Sequence, residues 1–206
     1  MKSPLDDTIW GSSYGSTAAV QAAFDRFGPE YHEAMLTTRA PGGAAEALMP
    51  HLSPAAQGVD LGCGSGVLGL ALRERGLARP LDGVDISPVM LDLARATGCY
   101  RELMRANLLL PPECPALPSP YAFVVTMGLI GDYVPYYVAL PYSVSLLQPQ
   151  GFLAFAVESR STPWRALEKQ VEDLRLEFLS ETELPVPEAK LAAQTYYFFV
   201  TRLLPD

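Results

Sequence analysis

From about residue 57 onward, short apolar runs alternate with segments whose apolar residues recur at helical spacing. Runs of this length, bounded by turn residues, predict β-strands. Two of them, 122–126 and 151–157, are apolar enough to predict strands that are buried on both faces. The predicted strands are Val59–Leu61, Leu81–Asp85, Arg101–Met104, Ala122–Thr126, Gly151–Val157, Glu177–Leu184 and Tyr196–Val200.

Helix signals follow these strands. Ser65 and Ser87 stand where a side-chain oxygen can cap the helix after the first and the second strand, and Pro88 suits a first helical position. A crossover helix is predicted within 132–147. A last helix opens at Pro163, and its apolar face consists of Trp164, Leu167, Val171 and Leu174.

Residues 1–50 show no such alternation. Helical patterns at Thr17–Phe27, Glu30–Leu36 and Gly43–Leu52 predict a helical lid over a sheet core at 57–206, within a single domain of residues 1–206. Alternating β and α units predict an α/β fold with a doubly wound, mostly parallel sheet, and the last two strands predict a terminal antiparallel hairpin. Ligands of such sheets bind beyond the carboxyl ends of the strands.

Composition narrows the class of protein. The 206 residues carry a formal net charge of -8 and a pI near 4.8, which disfavours nucleic acid and anionic membranes as partners. Three cysteines without a Cys-x-x-Cys pair indicate a reduced, cytoplasmic protein and no metal site. We also expect no signal peptide and no membrane span, because no apolar run is long enough.

The candidate chemistry begins with the sequence Asp60-Leu61-Gly62-Cys63-Gly64-Ser65-Gly66. Glycines at alternate positions between a strand and a helix let a ligand lie against the backbone. Asp85 follows nineteen residues after Gly66, at the end of the next strand, where a carboxylate can accept both hydroxyl protons of a ribose. Together these features predict a nucleotide-like ligand.

Two other interpretations of this loop stay open. The glycines could form only a tight turn, with Asp85 capping the following helix. Alternatively, Gly64-x-Gly66-x-x-Gly69 fits the spacing of a dinucleotide fingerprint, which would indicate an NAD-binding oxidoreductase. The first frame is preferred because Gly62 follows the strand directly and Gly69 falls inside the predicted helix.

The segment Val59–Gly66 resembles the first motif of class I S-adenosylmethionine-dependent methyltransferases, and the small-molecule type is the nearest. Gly83–Leu91 resembles the segment after the second strand of that family, and Leu147–Phe152 resembles the turn into its fifth strand. The resemblance implies a Rossmann-like methyltransferase fold with seven strands and S-adenosyl-L-methionine as the cofactor.

Residue roles follow from the resemblance. Asp60 and the loop residues Gly62, Cys63, Gly64 and Gly66 would contact the methionine end, and Asp85 would hold the ribose. The adenine would lie near Ile86, Met90 and Asn107, although the family often has aspartate at the last position. Tyr31 matches the tyrosine of an N-terminal Tyr-Asp pair whose aspartate is replaced here by His32. Arg39 could neutralise the cofactor's carboxylate, and Met127, just after the fourth strand, completes the predicted cofactor contacts.

Methyl transfer from a sulfonium depends mainly on the positioning of two reactants, so a base is optional. The candidates for proton transfer are His32, Asp132 and Tyr133, with His51, Tyr136 and Tyr137 as further choices. An aromatic set could line the acceptor pocket: Trp10, Tyr14, Tyr31, Tyr133, Tyr136 and Tyr137.

The fourth strand is followed by Thr126-Met127-Gly128-Leu129 rather than Asn/Asp-Pro-Pro-Tyr, the motif of enzymes that methylate planar amines in macromolecules. With the acidic charge, this favours a small-molecule acceptor, whose reacting atom the sequence leaves open. Two other functions are weighed against the enzyme: a non-catalytic assembly or regulatory protein that binds S-adenosylmethionine, and an NAD-dependent oxidoreductase. The sequence does not set the oligomeric state.

Overall fold

The computed structural model describes residues 16–109, 117–130, 133–158, 163–184 and 196–205. These residues form a seven-stranded sheet in the order β3-β2-β1-β4-β5-β7-β6. Strands β1 to β5 pair in parallel, and β7 runs antiparallel to both β5 and β6. The predicted doubly wound sheet with a terminal hairpin is confirmed. The strands are β1 Gly58–Leu61, β2 Leu81–Asp85, β3 Tyr100–Arg105, β4 Tyr121–Ile130, β5 Leu147–Glu158, β6 Leu176–Leu184 and β7 Tyr196–Leu203.

Helices cover the sheet on both faces. Side chains alternate along a strand, so Phe155 of β5 packs into a cluster with helices on one face and Ala154 into a cluster on the other. The helices are α1 Thr17–Leu36, α2 Ala40–Leu48, α3 Val67–Glu74, α4 Pro88–Ala96, α5 Tyr136–Ser145 and α6 Trp164–Asp173, with a short 3-10 turn at Met49–His51. Leu48 and Leu72 of α2 and α3 belong to the second cluster, and Leu140 and Val171 of α5 and α6 to the first.

Three predictions about the helices need correction. The segments predicted to end at Phe27 and resume at Glu30 form one helix, α1, which continues through Pro29. Packing decides this, because the bare Cα of Gly28 lies against Val89 of α4, where a Cβ would come within 2.9 Å of that side chain. The helix predicted at 43–52 instead starts at residue 40 and ends in the 3-10 turn.

The start of α3 also differs from the prediction. Its N-cap is Gly66, in the left-handed conformation with φ +83°, and not Ser65. Ser65 is buried and its Oγ has no hydrogen-bond partner among the described residues. The loop geometry therefore prevails over the usual capping preference of serine. By contrast, Ser87 caps α4 as predicted, since its side chain accepts from the Met90 N–H at 3.1 Å.

Helix α1 is tied to the loop after β2 by side-chain hydrogen bonds. The Ser87 hydroxyl donates to Asp25 of α1 at 2.6 Å. Arg105 donates to the side chain of Gln21 at 3.0 Å and to the carbonyl of Ile86 at 3.1 Å. These contacts fix the helix over the carboxyl ends of the central strands.

An ionic cluster around a buried aspartate joins the three strands β2, β3 and β4 on the face covered by α5 and α6. Asp82 is fully buried and accepts from Arg101 at 3.0 and 2.7 Å and from the Tyr121 hydroxyl at 2.8 Å. These hydrogen bonds raise the pKa of Arg101, and burial raises the pKa of Tyr121. The Asp82 carboxylate is thus satisfied by side chains of the protein, Arg101 and Tyr121.

Candidate functional site

The loop between β1 and α3 turns sharply at its three alternating glycines. Gly62, Gly64 and Gly66 have φ values of +72°, +50° and +83°, which side-chain-bearing residues rarely adopt. The N–H groups of Gly62 and Cys63 donate to the carbonyl of Val84 on β2, at 2.8 and 3.0 Å. The loop is therefore held against the end of the neighbouring strand.

Asp85 joins this loop to the start of α4. One carboxylate oxygen accepts from the Gly64 N–H and the other from the Ser87 N–H, both at 2.9 Å. Burial raises the pKa of Asp85, while these backbone hydrogen bonds counteract the rise and the nearby Asp25 adds to it. The glycine loop and the acid, predicted to act together, thus lie in direct contact. The sequence did not reveal that the acid also holds the loop.

A cavity of about 310 Å³ opens beside this contact, at the carboxyl ends of the strands. Nine of the predicted residues line it, eight cofactor candidates and one catalytic candidate: Tyr31, Gly62, Gly64, Asp85, Ile86, Met90, Asn107, Met127 and Tyr133. The side-chain oxygen of Asn107 accepts from the Leu109 N–H at 3.0 Å, which orients the amide at the cavity wall. The structure therefore brings most of the predicted site together.

A smaller hollow of about 30 Å³ adjoins the cavity, and both share Tyr31, Gly64 and Met127 as walls. Asp60 and Cys63 line only this hollow. Asp60 is 1% exposed, and its carboxylate accepts from the Tyr100 hydroxyl at 2.9 Å. Burial raises the pKa of Asp60 to about 7; the Tyr100 hydrogen bond opposes this rise and the charge of Asp85 adds to it. The same surroundings raise the pKa of the Cys63 thiol.

The far side of the cavity is apolar and aromatic. Phe24 of α1 packs edge-on against both Tyr31 and Tyr133, with ring centroids 5.6 Å apart in each pair. Leu129 and Val134 complete this wall from the end of β4 and the segment after it. Such a surface suits a ligand that is largely apolar.

Three predicted residues do not line either hollow. Gly66 is buried at the start of α3, where it shapes the loop. Arg39 is exposed at the start of α2. His32 lies one turn after Gly28 on the face of α1 that packs on α4, and its Nδ1 is buried without a partner among the described residues. The structure thus gives neither His32 nor Arg39 the cavity contact predicted for it.

Three further described candidates for proton transfer or aromatic packing, His51, Tyr136 and Tyr137, fall outside the cavity. His51 lies beside Phe152, 5.8 Å between centroids, and Tyr137 is 61% exposed. Tyr136 packs edge-on against Tyr137. Trp10, Tyr14 and Asp132 are not among the described residues, so their predicted roles stay predictions.

Sequence reasoning missed several residues of the site. Thr17, Val20 and Phe24 line the cavity from α1, together with Tyr31. Their spacing of three, four and seven residues is that of one helix face and could have marked it as the inner one. Tyr100 was missed because it reaches Asp60 across β2, a contact that no local pattern encodes.

The described residues hold neither a metal-binding cluster nor a membrane-spanning helix. They contain no group of three or more His, Cys, Asp and Glu side chains that could hold a metal ion. None of the helices in those segments is long and apolar enough to cross a membrane.

Comparison with known proteins adds the family. Residues 59–151 match the family described as Methyltransferase domain. The chain is 32% identical over 147 residues to Methyltransferase-like protein 27 of Homo sapiens, covering 68% of this chain and 58% of that protein. It is 33% identical over 110 residues to Ribosomal protein L11 methyltransferase of Edwardsiella ictaluri (strain 93-146), covering 52% of this chain and 37% of that one. The chain thus spans less than two thirds of these curated relatives.

The solved structure of Burkholderia thailandensis 1,6-didemethyltoxoflavin-N1-methyltransferase, with bound 1,6-didemethyltoxoflavin and S-adenosylhomocysteine, has the same fold. Its TM-score is 0.69 at 17% identity, covering 91% of this chain and 88% of that one. Together the matches confirm the family and the fold predicted from the sequence. The relatives carry names that span different acceptors.

Proposed function

Since the chain carries the domain of class I S-adenosylmethionine-dependent methyltransferases, we propose that it transfers the methyl group of S-adenosylmethionine to a small-molecule acceptor. The observation that carries this proposal is the continuity of the cavity. One end meets the glycine loop and Asp85, and the other is walled by Phe24, Leu129 and Tyr133.

The residues present fit the cofactor. Among the described residues, a Cβ at Gly64 would meet only the ring edge of Tyr31 within 4 Å, at 4.0 Å, so the loop leaves room for a ligand against its backbone. The buried Asp60 carboxylate faces the small hollow, where the ammonium group of a methionine end would neutralise it. Asp85 would hold the ribose hydroxyls and Asn107 would face the adenine.

When bound, S-adenosylmethionine supplies a methyl group that is already activated on a sulfonium. The chain's part is then to orient the two reactants and to exclude water. Tyr31 and the glycine loop would fix the donor, and Phe24 with Leu129 would hold the acceptor's apolar part. The Tyr133 phenol would hydrogen-bond the acceptor and help to remove its proton.

The test is turnover with a methyl-labelled donor. We expect the protein to convert S-adenosylmethionine to S-adenosylhomocysteine with at least one member of a panel of small aromatic and aliphatic alcohols, amines and thiols. A matched pair of variants, Tyr133→Phe in the cavity and Tyr137→Phe outside it, tests the role of the cavity phenol. The first should lower kcat and the second should leave it unchanged.

Three outcomes would contradict the proposal. Binding of S-adenosylhomocysteine without turnover on any small acceptor would favour the alternative, a non-catalytic protein that binds the cofactor. Methylation of protein or RNA fractions in place of the small molecules would move the acceptor to a macromolecule. Calorimetry with NAD beside S-adenosylhomocysteine tests the third candidate, and binding of NAD alone would favour an oxidoreductase.

A further inference from the structure

The ring of Tyr100 occupies a space formed by three glycines from three different elements. A Cβ would approach the Tyr100 side chain to 2.9 Å at Gly66 of the loop, 2.8 Å at Gly69 of α3 and 2.8 Å at Gly83 of β2. Such distances are shorter than real Cβ contacts. The ring therefore has one place to lie, and a larger residue at any of these positions would displace it.

This position delivers the phenol to Asp60. Tyr100 is the first residue of the edge strand β3. Its hydroxyl donates to the Asp60 carboxylate on β1 at 2.9 Å, across the intervening β2. Asp60 lines the small hollow and Tyr100 does not. Tyr100 therefore acts on a ligand in the hollow indirectly, and its hydrogen bond acts through Asp60.

The groups that face Asp60 make its negative charge costly. The cost comes from burial and from the charge of Asp85, the last residue of β2. The Cys63 thiol of the glycine loop and the Tyr31 ring of α1 line the same hollow as Asp60. Among the described residues no arginine or lysine pairs with Asp60. A hydroxyl that donates to a carboxylate favours its charged form, so Tyr100 opposes both burial and Asp85.

We propose that Tyr100 is a positioning residue that holds Asp60 as an oriented carboxylate for the ammonium group of the cofactor's methionine end. This inference rests on the proposed function. It gives Gly66, which shapes the loop, a second task, because Gly66, Gly69 and Gly83 together leave the space in which the tyrosine ring lies.

The experiment measures the affinity for S-adenosylhomocysteine by calorimetry, from pH 6 to pH 9, in the wild type and in Tyr100→Phe. Loss of the hydroxyl raises the pKa of Asp60, so more of the variant must lose a proton before it binds. We expect the wild type to bind about 10-fold more tightly than the variant at pH 6, with the ratio falling toward one at pH 9. The ligand's own titration affects both proteins equally and cancels in the ratio.

Tyr121→Phe is the matched control. It also removes a hydroxyl that donates to a buried aspartate, but Asp82 lies on the opposite face of the sheet and lines neither hollow. Its affinity ratio to the wild type should stay near one at every pH. Adenosine, which lacks the methionine end, serves as a second probe, and Tyr100→Phe should bind it as the wild type does.

Three results would overturn the inference. A ratio that stays constant across pH would make Tyr100 merely structural, and an equal pH-dependent ratio in Tyr121→Phe would show that the effect is unspecific. Weaker binding of adenosine to Tyr100→Phe would mean that the whole site is disturbed. If the wild type binds S-adenosylhomocysteine at no pH, the proposed function fails, and this inference with it.

Discussion

Two buried aspartates lie almost back to back in the sheet, and they differ in what neutralises them. Asp82 of β2 pairs in register with Val59, and the next residue of β1, Asp60, pairs with Gly83, so their side chains point to opposite faces. Each accepts from a tyrosine hydroxyl, Tyr121 or Tyr100. Among the described residues, Asp82 also forms an ion pair with an arginine, Arg101, and Asp60 forms none.

The difference separates a structural charge from one suited to a ligand. A buried carboxylate that pairs with the chain's own guanidinium is already compensated, and the fold is destabilised when either partner is removed. One without a chain cation costs folding free energy when it is ionised, and a bound cation offsets that cost. The comparison therefore favours Asp60, and not Asp82, as the place where a cationic group binds.

The largest expected effect is on how stability depends on pH. Burial raises the pKa of Asp60 from 3.8 to about 7, so the folded protein binds this proton more tightly than the unfolded chain does. The free energy of unfolding should fall as pH rises from about 4 to about 7, by up to ~4 kcal/mol from this group. In Asp60→Asn that contribution is absent.

Urea unfolding of the wild type and of Asp60→Asn at pH 4.5 and pH 8 measures this contribution to the free energy of unfolding. All other titrating groups are common to the two proteins, so the difference between them isolates Asp60. Equal pH dependence in wild type and Asp60→Asn would mean that Asp60 titrates as an ordinary carboxyl group.

The second effect concerns the other aspartate. Asp82→Ala leaves the Tyr121 hydroxyl without its acceptor and the Arg101 guanidinium without its counterion, and should lower the free energy of unfolding by about 3 kcal/mol. Urea denaturation near pH 7 checks this. The affinity for S-adenosylhomocysteine should not change, since Asp82 lines neither hollow. A variant that unfolds like wild type would remove the contrast between the two aspartates.

The third and smallest effect concerns Asp85, which combines a structural role with a place in the cavity wall. Asp85 accepts two backbone N–H groups and also faces the cavity. Asp85→Ala should weaken binding of S-adenosylhomocysteine by about 2 kcal/mol, measured by calorimetry, through the lost ribose hydrogen bonds and a looser Gly64 amide. Unchanged affinity would remove Asp85 from the cofactor site.

Patterns local in sequence predicted much of the fold and of the donor site. Each strand was found within a few residues, because apolar runs and turn residues encode strands directly. The glycine loop was found because it directly follows β1, and Asp85 was found because it ends β2, the next strand along the chain. Contacts between distant segments were not found: Pro29 inside α1 depends on packing against α4, and the Tyr100–Asp60 pair spans three strands.

The ties between α1 and the loop after β2 have a consequence for redesign. Asp25 and Gln21 anchor the helix, whereas Val20 and Phe24 lie on the face that borders the cavity. Under the proposed function, substitution at Val20 would alter which compounds are accepted, whereas substitution at Phe24 would also reach the donor side through its contact with Tyr31. The side chains that anchor this helix are thus separate from those that border the ligand, so the cavity wall can be varied without loosening the helix.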